Sequence, residues 1–170
     1  CKLSMALVGA LCFFVLFVAS AYGQDVTLTV NSAYGSPDPS VGVHTYAKGT
    51  GITASVATPV PGGSGVRYAC VGWKAKGDAE HLPAVGTTNS VTFTLMKSAI
   101  LTWKWKAQYL LTVNVEPADA HCVPGHIEVW CEDSPTPEDG YWDFRRVVQL
   151  EAVEHEGYDF AYWSGGSGAI

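Results

Sequence analysis

Val26-Thr27-Leu28-Thr29-Val30 places an apolar side chain at every second position, with threonine between. A period of two is what a half-buried β-strand needs, because successive side chains leave the pleated backbone on opposite faces. The alternation recurs in Ile52–Val56, where Ile52, Ala54 and Val56 share a face, and in Ser90–Leu95, where Val91, Phe93 and Leu95 do. Ile100–Lys106 sets Leu101, Trp103 and Trp105 against Thr102, Lys104 and Lys106, a strand with one dry and one wet face. Val41–Tyr46 reads as a further short strand. Tyr34–Pro39, with two prolines and a glycine, is a turn, Pro59–Gly65 a surface loop, and Lys74–Asn89 a long polar loop. The pattern predicts an all-β protein.

Two stretches resemble each other. Val66–Gly77 holds Tyr68 five residues before Trp73, and Gly157–Gly166 holds Tyr158 five residues before Trp163, with Cys70 in the place of Phe160. An alternating strand precedes each, Ile52–Val56 and Val148–Ala152, and a Leu-Thr-Val-Asn lies further upstream at Leu28–Asn31 and Leu111–Asn114. The order is constant while the spacing varies, which is how loop insertions act on a repeated module. We therefore expect two tandem β-modules, residues 24–107 and 108–170. The second would open with Tyr109–Val115, cross an acidic loop at Glu132–Gly140 and continue through Val147–Val153 and Tyr158–Trp163. No counterpart of the closing strands at 90–106 follows, so the second module reads as incomplete and the chain as part of a longer repeat protein. Tyr68, Cys70, Trp73, Tyr158, Phe160 and Trp163 are the expected core, since small modules need large side chains to fill them.

Ahead of the first strand, Lys2 precedes an uncharged run whose centre, Leu7–Val18, is apolar, and small residues follow at Ala19, Ala21 and Gly23. This is the pattern of a signal-peptide helix over residues 1–23, cleaved before Gln24; an uncleaved membrane anchor is the alternative. The expected location is secreted or on the cell surface, with membrane contact only through that segment. Charge is unevenly placed: residues 24–106 carry seven Lys/Arg against four Asp/Glu, net +3, and residues 107–170 two against twelve, net −10. With no basic cluster to neutralise phosphates, nucleic acid is not an expected partner.

Few residues suggest chemistry. Export makes a disulfide the natural use of cysteine, and Cys122 and Cys131, flanking Pro124-Gly125, are the candidate pair; a simple hairpin there would not set them opposite, so the pairing stays open. Cys70 reads as a small buried hydrophobe. His121, Cys122, His126 and Cys131 carry zinc-type donors without the paired spacing of structural zinc sites, and Asp133, Glu138, Asp139 and Asp143 follow no calcium-loop spacing, so no metal or cofactor is expected. His44, His81, His121, His126 and His155 are scattered, and neither a nucleophile elbow nor a phosphate loop is present, which argues against an enzyme.

A strand, a Gly-Thr, an alternating strand and then Tyr-x-Phe-x-x-Trp-Ser-Gly resembles the divergent internalin-B-type B-repeat modules of bacterial secreted and surface proteins. Val147–Gly166 carries the pattern; the first copy departs from it at Cys70 and at Lys74–Gly77. The resemblance implies small β-grasp-related or sandwich-like units in series, used as stalks, spacers or adhesive parts, and it brings no catalytic residues. The expectation is a non-enzymatic structural or adhesive repeat region, with other surface proteins or polysaccharide as the partner class. The alternative is a carbohydrate-binding accessory region of a secreted enzyme. That alternative would be marked by an exposed coplanar pair at Trp103/Trp105 or Tyr141/Trp142.

Overall fold

The computed structural model describes residues 23–78, 80–116, 125–132 and 134–165. The segment 1–23, expected as a signal-peptide helix, thus lies outside the described residues except for Gly23. Eleven strands and no helix are found among the described residues: β1 (Asp25–Asn31), β2 (Gly42–Ala47), β3 (Thr50–Ser55), β4 (Val60–Gly63), β5 (Val66–Lys76), β6 (Val85–Gly86), β7 (Ser90–Leu95), β8 (Ala99–Leu110), β9 (His126–Trp130), β10 (Tyr141–Asp143) and β11 (Gln149–Val153). The protein is all-β.

Strand β8 is the spine. Along one edge β5 pairs with it antiparallel, from Ile100 to Tyr109. Its other edge is shared: β1 pairs with residues 99–102 in parallel, and β10 pairs with residues 108–110 antiparallel. With β2 beside β1, and β4 and β6 beside β5, these make a seven-stranded sheet. Strands β3 and β7 form a separate antiparallel pair, as do β9 and β11.

The core lies between the large sheet and the β3–β7 pair. Val26, Leu28 and Val30 from β1, Ile52 and Ala54 from β3, Phe93 and Leu95 from β7, and Leu101 and Trp103 from β8 join one buried cluster. These are the inward positions that the alternation assigns, and each large side chain so buried contributes about 1.5–3 kcal/mol. Opposite faces carry threonine or lysine and meet water, so each strand is held in register by its own pattern.

Strand β5 departs from simple alternation. Cys70 stands opposite Trp105 and Gly72 opposite Lys104, so Val71 is an extra residue, a β-bulge. Before the bulge, Tyr68 and Cys70 share a face; after it, Trp73 and Ala75 do, opposite Trp103 and Leu101. One inserted residue reverses which parity faces inward, and the odd spacing of Tyr68 and Trp73 is thereby reconciled with a common side. The bulge depends on Gly72, whose φ is +120° and where a Cβ would collide with the carbonyl oxygen of Gly86. Trp73 is 3 % exposed, as expected of it, while Tyr68 and Cys70 are half-buried.

Two segments expected as loops are partly strand. Val60–Gly63, within the expected loop at 59–65, is β4 and forms a hairpin with β5. Within Lys74–Asn89, β5 runs on to Lys76, and β6 returns to set Gly86 opposite Trp73. Both ladders are short and contain glycine, so they carry no periodicity of their own; the long partner strand organises them.

The second region differs more. Tyr109 and Leu110 end β8, which runs unbroken through the expected boundary at 107/108, and Leu111–Val115 forms no strand. Val147–Val153 narrows to β11, paired with β9. The expectation that Tyr158, Phe160 and Trp163 belong to the core is corrected: they are 37 %, 44 % and 49 % exposed, in a segment outside any strand. The reason is that no sheet covers them among the described residues. Phe160 and Trp163 lean on each other, ring centroids 5.1 Å apart, rather than on a neighbouring layer.

Candidate functional site

Polar and aromatic groups from distant parts of the chain converge at the seam where β10 joins β8. The sequence reaches it from both sides: β5 and β8 bring Arg67, Lys106 and Gln108, and the acidic segment brings Asp139, Tyr141 and Asp143. Arg67 Nη1 lies 2.6 Å from Asp139 Oδ2, and its Nε donates to Gln108 Oε1 at 2.8 Å. The same guanidinium sits over the Tyr141 ring, 4.0 Å from the centroid. Lys106 Nζ donates to Asp143 Oδ2 at 2.6 Å, and Gln108 Nε2 donates to Asp143 Oδ1 at 2.8 Å.

Both carboxyls respond to this setting. Hydrogen bonds from Arg67, above all, and from the Tyr141 amide hold Asp139 below the ordinary carboxylate value. For Asp143, partial burial pushes upward, but hydrogen bonds from Lys106 and Gln108 together with the charge of Lys106 outweigh it and leave the group lowered. Beneath the ion pairs Trp142 is buried, and a cleft of about 210 Å³ lined by Leu111, Val113, Val129 and Trp142 opens beside it. The cations here are occupied by carboxylates of the same chain. The arrangement therefore clamps two stretches of chain together rather than presenting free charge to a ligand.

Asp139 and Asp143, grouped in the sequence with Asp133 and Glu138 as an oxygen-rich loop, are thus the acidic halves of this clamp. Asp133 lies outside the described residues, as do His121 and Cys122; the Cys122–Cys131 pairing therefore falls outside them too. The backbone of Cys131 makes an isolated antiparallel β-bridge with that of Ser134. Among the described residues, no three His, Cys, Asp or Glu side chains are grouped so as to hold a metal ion.

The aromatic pairs that would mark a sugar platform are taken up inside the fold. Trp103 is buried opposite Trp73, and Trp105 is half-buried, its Nε1 donating to Ser32 Oγ at 2.9 Å. Trp142 is buried and Tyr141 lies under Arg67. An aromatic stack does form elsewhere: Tyr34 lies on Tyr68 with centroids 3.6 Å apart and planes 9° apart, edge-on to Trp105. The sequence pattern assigns Tyr34 only to a turn. The available signal is Gly35, whose φ of +70° favours glycine and where a Cβ would press on the side chains of Val56 and Trp105.

Asp78 also escapes a reading of the sequence. It is 1 % exposed, and its Oδ2 accepts from the amides of Met96, at 2.6 Å, and Lys97, at 3.0 Å. Its Oδ1 meets His81 Nδ1 at 3.0 Å. Burial pushes its carboxyl upward; the hydrogen bonds from His81, Met96 and Lys97 prevail and hold it below the ordinary value. It ties itself and His81 to the β7–β8 turn, a structural task. The sequence signal is slight: Asp78 follows Gly77 and precedes a second acid, Glu80, with an apolar Leu82 nearby that is itself buried.

Comparison with protein-family models, with curated proteins and with solved structures returns no match.

Proposed function

We propose that this chain is a non-enzymatic structural or adhesive repeat region of an exported bacterial protein, secreted or held at the cell surface, built from modules of the internalin-B-type B-repeat kind. The observation that carries this reading is the shared spine: β8 begins inside the first region and ends as the strand to which β10 of the second is added. A spacer has to pass orientation, and load, from one unit to the next. A common strand does so through backbone hydrogen bonds, which a flexible linker lacks. The clamp of Arg67 with Asp139 and Lys106 with Asp143 fixes the same junction from the side chains. Export rests on the apolar run and the small residues of the N-terminal segment.

Backbone nitrogen relaxation across residues 24–165 tests the spacer reading. The expected result is one tumbling time for the first region, β10 and the β9–β11 pair. Separate tumbling of residues 126–153 would overturn it, because a loosely tethered second unit passes on neither orientation nor load.

A further inference from the structure

We propose that copies of this chain associate head to tail, the outer face of the seven-stranded sheet in one copy receiving the outer face of β9–β11 in the next. Two unmet electrostatic demands motivate this. Pairing of Lys74 with Thr102, Lys76 with Ile100 and Gly72 with Lys104 places all three lysines on the sheet face turned away from the core. All three are exposed, and among the described residues none makes an ion pair or a side-chain hydrogen bond. Exposed Ile100 and Val85 lie on the same face, giving it apolar surface between the charges.

The second demand lies on β9–β11. There the register sets Glu151 directly opposite Glu128, so two carboxylates project side by side from one face. Like charges directly opposite destabilise a strand pair. The neighbouring titratable group is His126, whose Nε2 is 3.6 Å from Glu128 Oε1, and no lysine or arginine is paired with either carboxylate among the described residues. A lysine from outside would relieve the repulsion. Within a copy, the net charges of +3 and −10 divide along the same lines, so the two faces attract in the orientation that joins unlike ends. Because the two faces differ, such a contact is heterologous and extends into chains of copies rather than closing as a symmetric dimer.

Sedimentation of residues 24–170 tests the proposal. The average mass should rise with protein concentration at about 0.01 M salt and fall to the monomer at about 1 M, where the Debye length shrinks to about 3 Å. The variants K74E/K76E/K104E and E128Q/E151Q should each lose self-association by about tenfold or more, since each lacks one face. The glutamine pair removes the like-charge contact, so its fold is at least as secure as that of the parent. Mixed together, the two variants should form a one-to-one complex through the intact face that each retains. A parent chain that stays monomeric at low salt overturns the proposal. So does association that survives salt or either variant, or a mixture of the variants that remains monomeric.

Discussion

Tyr68–Trp73 and Tyr158–Trp163 share their spacing of aromatic residues, yet one is the inner wall of a sheet and the other is at the surface. The first copy has Gly72 immediately before its tryptophan; the second has Tyr162, which is 76 % exposed. A tyrosine at a bulge with φ near +120° would be strained, and its Cβ would strike the returning β6 backbone at Gly86. The first copy also lies along the whole of β8, with β4 and β6 on its far side. Burial of an aromatic residue is thus a property of what lies across from it. The spacing states only which residues could face the same way.

The largest expected difference comes from truncating the two tryptophans. Trp73→Ala should destabilise the fold by about 3–5 kcal/mol, the range for an aromatic removed from a core. Trp163→Ala should cost about 0.5 kcal/mol or less, as exposed positions do. Urea midpoints of the two variants measure the contrast, and equal losses would mean that the second copy is buried after all.

The bulge comes next. Gly72→Ala adds a methyl against the Gly86 carbonyl and an unfavourable φ, and should cost about 2–4 kcal/mol from strain and overpacking combined. Tyr162→Gly, which gives the second copy the bulge glycine, should leave the midpoint nearly unchanged, because no β6 counterpart returns there among the described residues. A marked gain in stability from Tyr162→Gly would show that the glycine alone separates the two copies.

Acid response sharpens the contrast between a buried and an exposed carboxylate. Asp78 has its folded pKa lowered, so its contribution is complete above the unfolded value, near 4, and is lost as pH falls through the lower folded value. Asp139 and Asp143 follow the same sign. Stability against pH, measured at low and high salt, should show an acid limb that Asp78→Asn flattens at both salts. Asp139→Asn should affect it only at low salt, since Asp139 is exposed to screening. An Asp78 effect that disappears in salt would contradict its burial.

A small effect is expected at the seam itself. Asp143→Asn leaves an amide near Lys106 and Gln108 and should cost about 0.2–1 kcal/mol, the range for a partly exposed ion pair. Denaturant midpoints resolve a change of that size. A loss well above it would make the clamp, rather than the β8–β10 ladder, the principal bond between the two regions.

Much of the first region is legible in the amino-acid sequence. Val26, Leu28, Val30, Ile52, Ala54, Phe93, Leu95, Leu101 and Trp103 announce their inward faces through local alternation, because a strand with one buried side must repeat every two residues. The all-β class follows from the same pattern. Local pattern does not reveal the bulge at Val71, which breaks the period, or the short ladders of β4 and β6, which exist only because β5 extends past them. The candidate seam is legible only as separate charges: Arg67 and Asp139 are distant in sequence and meet because β5 and β10 flank one spine. Asp78 reads as one more acid in a polar loop until the amides of Met96 and Lys97 fold onto it. Periodicity is written in neighbouring residues, so the chain alone determines which side of a strand is apolar. Whether that side is covered depends on contacts between residues far apart in the chain, and only the tertiary structure decides it, as Trp73 and Trp163 show.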